Sequence, residues 1–108
     1  MKQNTVHIIV LVTTSSREEA EKIAKILLEE RLVACANIIG PMHSLFWWQG
    51  KIDEAKEHLI LMKTRKDLFG KVSERVKTLH SYQVPEIIAT PIIEGSKDYL
   101  KWLDESLR

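Results

Sequence analysis

The side chains able to do chemistry in this chain are few and scattered. The four histidines, His7, His43, His58 and His80, are never three or four positions apart, so no helix can present two imidazoles to one ion. Cys35 lies between two alanines and has no second cysteine near it, so the Cys-x-x-Cys device for soft metals is absent. A lone cysteine in such a setting reads first as a small buried hydrophobe, and second as a ligand for Cu(I) or a redox-sensitive thiol. His80, in a predicted loop beside Tyr82, is the best imidazole for a metal, with surface histidine as the plainer reading. A site could form where three copies of one histidine meet on a threefold axis. The metal candidates are therefore His80 and Cys35, for copper or another divalent ion.

A second group, Glu57, Lys63, Tyr82 and Glu86, falls near predicted strand ends, where a pocket between subunits could form; an interfacial salt-bridge network is the alternative. No glycine-rich phosphate loop, elbow serine or activated acid pair is visible, so the chain does not read as an enzyme. Sixteen basic residues against fifteen acidic ones give a formal charge of +1, which makes no electrostatic case for nucleic acid or an anionic membrane. The single cysteine fits a reducing compartment. The opening stretch MKQNTVHIIVLVTT is too short in its apolar run for a membrane span and lacks a small-residue cleavage site. The expectation is a cytoplasmic protein.

These residues must be positioned by one domain covering 1–108. Val6 to Thr13 is rich in β-branched residues with apolar side chains at odd and even positions, the mark of a strand buried on both faces. Ser16-x-x-Glu19 opens a helix through a capping box. Ala20, Ile23, Ala24, Leu27 and Leu28 form its apolar stripe, and it ends near Arg31. Leu32 to Ile39 is a second strand, interrupted at Gly40-Pro41 as a bulge would be, and resumed through Leu45-Phe46-Trp47-Trp48. A tight turn at Gln49-Gly50 sends the chain back along a third strand. Thr64 is the expected cap of a second helix carrying Leu68, Phe69, Val72, Val76 and Leu79. After the loop His80-Ser81-Tyr82-Gln83, Glu86 to Ile93 is a fourth strand whose Pro91 suggests an edge, and Gly95-Ser96 caps a last helix with Tyr99, Leu100, Leu103 and Leu107.

The order βαββαβ with a C-terminal helix predicts an α+β, ferredoxin-like sandwich whose two main helices cover one sheet face. Read as one strand from Lys51 to Lys63, the returning arm spans about 43 Å at roughly 3.3 Å per residue. A compact domain of this size is only about 34 Å across. The arm overshoots, and the third strand is apolar on both faces, with His58, Ile60 and Met62 pointing one way and Leu59 and Leu61 the other. Both features predict an obligate oligomer. Trp47 and Trp48 should divide, one indole on its own sheet and the other on a partner, with Gly50 setting the turn. RNA binding on this fold needs aromatic residues on strands one and three, and HIIVLVT and HLILMKT have none.

Five ordered stretches carry a resemblance. Leu32-Val33-Ala34-Cys35-Ala36-Asn37, Ser44-x-Phe46-x-Trp48-x-Gly50-Lys51-Ile52, Lys63-Thr64-Arg65, His80-Ser81-Tyr82-Gln83-Val84-Pro85-Glu86-Ile87-Ile88 and Asp98-Tyr99-Leu100-x-Trp102-Leu103 are similar to the CutA family of divalent-cation tolerance proteins. The resemblance implies a homotrimer with hairpins reaching around neighbours, a plan shared with the PII signalling proteins, and a role in tolerance of divalent metals, notably copper. Eukaryotic members are linked to anchoring of acetylcholinesterase, so a protein partner is implied without being named. The family's usual His-Pro-Tyr-Glu/Asp reads His80-Ser81-Tyr82-Gln83 here. Where members have a copper site, its ligands align with Val12, Leu79 and His80, of which only His80 can ligate. The functional expectation is a trimeric metal-homeostasis module without catalysis. The alternatives are a PII-like sensor with a small molecule between subunits, or a ligand-independent scaffold.

Overall fold

The computed structural model describes residues 6–108. Part of the N-terminal stretch read above, residues 1–5, lies outside them. The elements are β1 (His7–Thr14), α1 (Arg17–Glu29), β2 (Cys35–Trp48), β3 (Lys51–Arg65), a single 3-10 turn (Lys66–Leu68), α2 (Phe69–Leu79), β4 (Ile87–Pro91) and α3 (Lys97–Ser106). The strands form one antiparallel sheet in the order β2-β3-β1-β4, the ferredoxin-like arrangement. Pro91 ends the edge strand β4, where a missing N–H disturbs no ladder.

One face of the sheet is a closed core. Val10, Val12, Ile60 and Met62 point at Ile23 and Leu27 of α1 and at Val72 and Val76 of α2, all with no exposed surface. Each such side chain contributes about 1.5–3 kcal/mol by leaving water. Leu103 and Leu107 of the C-terminal segment belong to the same core. The other face carries Ile9, Leu11, Leu59 and Leu61, each only partly covered, with Ile39 and Ile88 half exposed beside them.

The local chemistry explains most element ends. Ser16 Oγ accepts the Glu19 N–H, and Ser96 Oγ accepts the Tyr99 N–H, so both predicted caps form. Gln49 and Gly50 both have positive φ, 50° and 77°, the two-residue turn whose twist matches a hairpin. The interruption at Gly40-Pro41 is a register shift between Ile39 and Met42 within one continuous strand, and the Gly40-Pro41 peptide is cis.

One expectation is corrected. Thr64 does not cap α2: it is a fully buried residue of β3, and its hydroxyl donates to the Leu32 carbonyl at 2.7 Å. Strand pairing with Ile8 extends β3 through Arg65, so the helix starts later, after a 3-10 turn without a side-chain cap. Consecutive on β2, Trp47 and Trp48 point to opposite faces of the arm. Trp47 is 73% exposed and Trp48 46%, because the distal hairpin projects beyond both helices and has no layer of its own beneath it. With Leu45 and Ile52 also exposed, the arm ends in an apolar tip.

Candidate functional site

The polar side chains that converge do so around the loop after α2. α2 ends at Leu79, and His80 takes an extended conformation that turns the chain back toward β1. Its ring is wholly inaccessible to solvent. Nε2 lies 2.7 Å from the Thr13 carbonyl, which can only accept, so this nitrogen carries the proton. Nδ1 then accepts the Tyr82 N–H at 3.0 Å. His80 thus holds two opposed backbone groups with its two nitrogens and keeps no lone pair for a metal in this conformation.

Glu19, read in the sequence only as a helix-start acid, joins the same cluster. Its Oε1 accepts from the N–H and hydroxyl of Ser15, at 3.2 and 3.1 Å, and its Oε2 accepts the Ser81 N–H at 2.7 Å. Oε2 also lies 3.7 Å from His80 Nδ1. Burial pushes the Glu19 carboxyl up, but the hydrogen bonds from Ser81 and Ser15 and the neighbouring imidazole outweigh it, so the group sits below its ordinary range. Sequence spacing could not reveal the Ser81 contact, because it joins residues 62 positions apart through a backbone donor.

Tyr82 completes the cluster. Its hydroxyl donates to Glu57 Oε2 at 2.8 Å, and its ring meets the His80 ring with centroids 4.8 Å apart. Burial, followed by the Glu57 hydrogen bond and charge, pushes the Tyr82 phenol up to about 12. Glu57 is only 6% exposed although its strand neighbours toward the hairpin tip are open. Beside it, His58 Nδ1 is buried without a partner, and the ring packs against the backbone of Gly40.

The other candidates lie elsewhere. Lys63 is six residues from Glu57 on the same strand, about 20 Å at roughly 3.3 Å per residue. It sits opposite Cys35 and Ile9, whereas Glu57 sits opposite Met42. Within one chain the base of the arm and the 80–86 loop therefore do not meet. Lys63 Nζ instead approaches Asn37 Oδ1 at 3.4 Å and Cys35 Sγ at 3.9 Å, with the Tyr99 ring centroid 5.7 Å away. Glu86 is exposed. Cys35, partly buried, is at the Ile9 level of the sheet, while His80 is tied to Thr13, four residues along β1. The two proposed metal ligands are thus separated. Among the described residues no group of three or more His, Cys, Asp or Glu side chains is gathered to hold a metal ion. A divalent cation does not fit the side chains of a single chain as they stand.

The sequence model of CutA1, described as a divalent ion tolerance protein, matches residues 8–106. The chain belongs to the CutA1 family. Among CutA1 relatives, the divalent-cation tolerance protein CutA of Thermus thermophilus is 52% identical over 98 residues, covering 91% of this chain and 95% of the relative. A solved structure of the Thermus thermophilus protein superposes with a TM-score of 0.92 at 50% identity, covering 94% of this chain and 99% of that one. The CutA structure of Archaeoglobus fulgidus, described as a periplasmic divalent cation tolerance protein, gives 0.92 at 48% identity over 94% and 99% of the two chains. CutA1 of Oryza sativa gives 0.92 at 40% identity over 97% and 98%. The CutA1 names support a role in metal tolerance, and the family is not named for an enzymatic activity.

Proposed function

We propose that this chain acts in divalent-cation tolerance as a cytoplasmic homotrimer, a binding or signalling module without catalysis. The observation that carries the reading is the uncovered sheet face together with the arm. Ile9, Leu11, Leu59, Leu61, Ile39 and Ile88 form an aliphatic surface with no layer over it, and the tip adds Leu45, Trp47, Trp48 and Ile52. Surfaces of this kind are buried in assemblies. Because Lys63 lies at one end of this face and the Glu57–Tyr82 pair at the other, head-to-tail packing of copies joins a lysine from one subunit to a buried carboxylate of the next. A heterologous contact that closes makes a ring. Glu86, exposed beside the Tyr82 loop, borders the same cleft. His80 and Cys35, contributed by different subunits, are the candidate ligands for copper or another divalent ion in this reading. The single thiol supports the cytoplasmic placement.

Calorimetric titration of the assembled protein with Cu(I), Cu(II) and Zn(II) tests the metal reading. Absence of binding tighter than about 10 μM, equally in wild type and His80→Ala, sinks it. Sedimentation of the Trp48→Ala, Gly50→Val double variant tests the assembly. Gly50 has φ 77°, which a β-branched side chain resists, so the arm should splay and the trimer weaken. A variant that stays trimeric with unchanged melting removes the arm from the interface. A second reading, a PII-like sensor of a small molecule between subunits, is favoured by the buried Glu57 carboxylate, whose one hydrogen-bond donor among the described residues is a phenol. A thermal-shift screen of nucleotides and carboxylates separates the readings, since a specific ligand stabilises by mass action.

A further inference from the structure

Three links tie the short loop after α2 to three different elements, and a fourth closes it on itself. The His80 ring holds the Thr13 carbonyl of β1, the Ser81 amide is held by Glu19 of α1, the Tyr82 amide returns to His80 Nδ1, and the Tyr82 hydroxyl reaches Glu57 of β3. A loop outside helix and sheet must otherwise leave consecutive N–H groups to water. Here both amides are spent on side chains, and one of those side chains is a carboxylate at 2.7 Å, the stronger class of hydrogen bond.

Glu19 is well built for this. Its Oε1 is occupied by Ser15 at the start of α1, which orients the carboxylate and leaves Oε2 directed at the loop. The residue at 81 also matters. Ser81 supplies from its backbone the N–H that a proline here would lack. Loop rigidity that a proline ring would impose covalently comes in this chain from a hydrogen bond to α1. His80 keeps the extended backbone, φ −81° and ψ 142°, that suits either arrangement.

We infer that Glu19 and His80 form a latch that fixes Tyr82 against Glu57, making Glu19 a positioning residue for the proposed subunit cleft. The inference rests on reading Glu57 and Tyr82 as part of that cleft, but the latch is measurable without any ligand. Amide hydrogen exchange at Ser81 and Tyr82 and the side-chain carboxyl ¹³C resonance of Glu57 report it by NMR. Glu19→Ala is expected to speed both amides by at least about tenfold, the loss of one hydrogen bond to a charged acceptor. It should also move the Glu57 resonance toward its position in Tyr82→Phe. Glu19→Gln retains a carbonyl acceptor and should restore most of both signals. If Glu19→Ala does not fold, Glu19→Asp keeps the charge at the helix start, falls a methylene short of Ser81, and should free the same amides. A lower melting temperature with the Tyr82 amide and the Glu57 resonance unchanged overturns the latch, as does failure of Glu19→Gln to rescue. Failure of the cleft reading shows separately, in the metal, ligand and sedimentation experiments.

Discussion

Replacing Tyr82 by Phe removes one oxygen and tests the site from two directions. Glu57 is 6% exposed, its carboxylate takes the Tyr82 hydroxyl at 2.8 Å, and among the described residues no cation lies within ion-pair distance of it. Deleting the donor leaves a largely desolvated acceptor unpaired, which costs about 1–3 kcal/mol at neutral pH. For a chain of this length that is a fall in melting temperature of about 4–12 °C. The alkaline side gives an independent reading. Tyr82 is held neutral until about 12, against 10.0 in the unfolded chain. Stability is therefore intact below pH 10 and is lost as pH rises toward 12, because the unfolded chain gives up the proton first. Two pKa units correspond to about 2.7 kcal/mol, and screening of a half-buried group reduces this to roughly 1.5 kcal/mol. Denaturant melts of wild type and Tyr82→Phe through this window isolate the effect, since lysines titrate equally in both. The gap between the two proteins should narrow by that amount as pH rises. Parallel curves, with tyrosinate absorbance showing no ionisation delayed in wild type relative to Tyr82→Phe, would refute the claim that burial and Glu57 hold Tyr82 neutral.

Two further substitutions probe the scaffold under the site. Gly40→Ala would place a methyl 2.7 Å from His58 Cδ2 and 3.1 Å from the Glu57 carbonyl oxygen, so thermal melting should show a loss of about 1–3 kcal/mol; an unchanged melting temperature would mean the bulge yields freely. Thr64→Val preserves shape but leaves the Leu32 carbonyl without its buried donor, and urea titration should show a loss of about 1–3 kcal/mol with an unchanged m-value.

The elements were legible because their signals are local. The β-branched and aliphatic runs of β1 and β3, the serine caps of α1 and α3, and the turn at Gln49-Gly50 each depend on residues a few positions apart. Thr64 misled because Thr-x-x-Asp fits a helix cap equally well, and only the pairing of Ile8 with Thr64 decides that the strand continues. The candidate site was half legible. Glu57 and Tyr82 meet within one chain, while Lys63 lies six residues from Glu57 along β3, a separation that spacing gives once both fall on one strand. Glu19 and Ser81 carried no signal of their own, since their link is a side chain to a backbone amide across 62 positions.

The hairpin has a consequence for the order in which the molecule assembles itself. Its two strands pair through neighbours in sequence, from Trp48 opposite Lys51 down to Cys35 opposite Lys63, whereas β1 must find Pro91 from Ile8. A hairpin closes in about 1–10 μs, and contacts distant along the chain come later because a longer loop must be ordered first. The arm, with its indoles at the tip, therefore exists before the sheet at its root is complete. A newly made chain presents its stickiest surface at its earliest structured moment, with both long edges of the ribbon unpaired. The charged run Lys51, Asp53, Glu54, Lys56 on the returning strand sits where such a ribbon would otherwise zip to another. Charges of either sign on a strand edge oppose pairing with another edge.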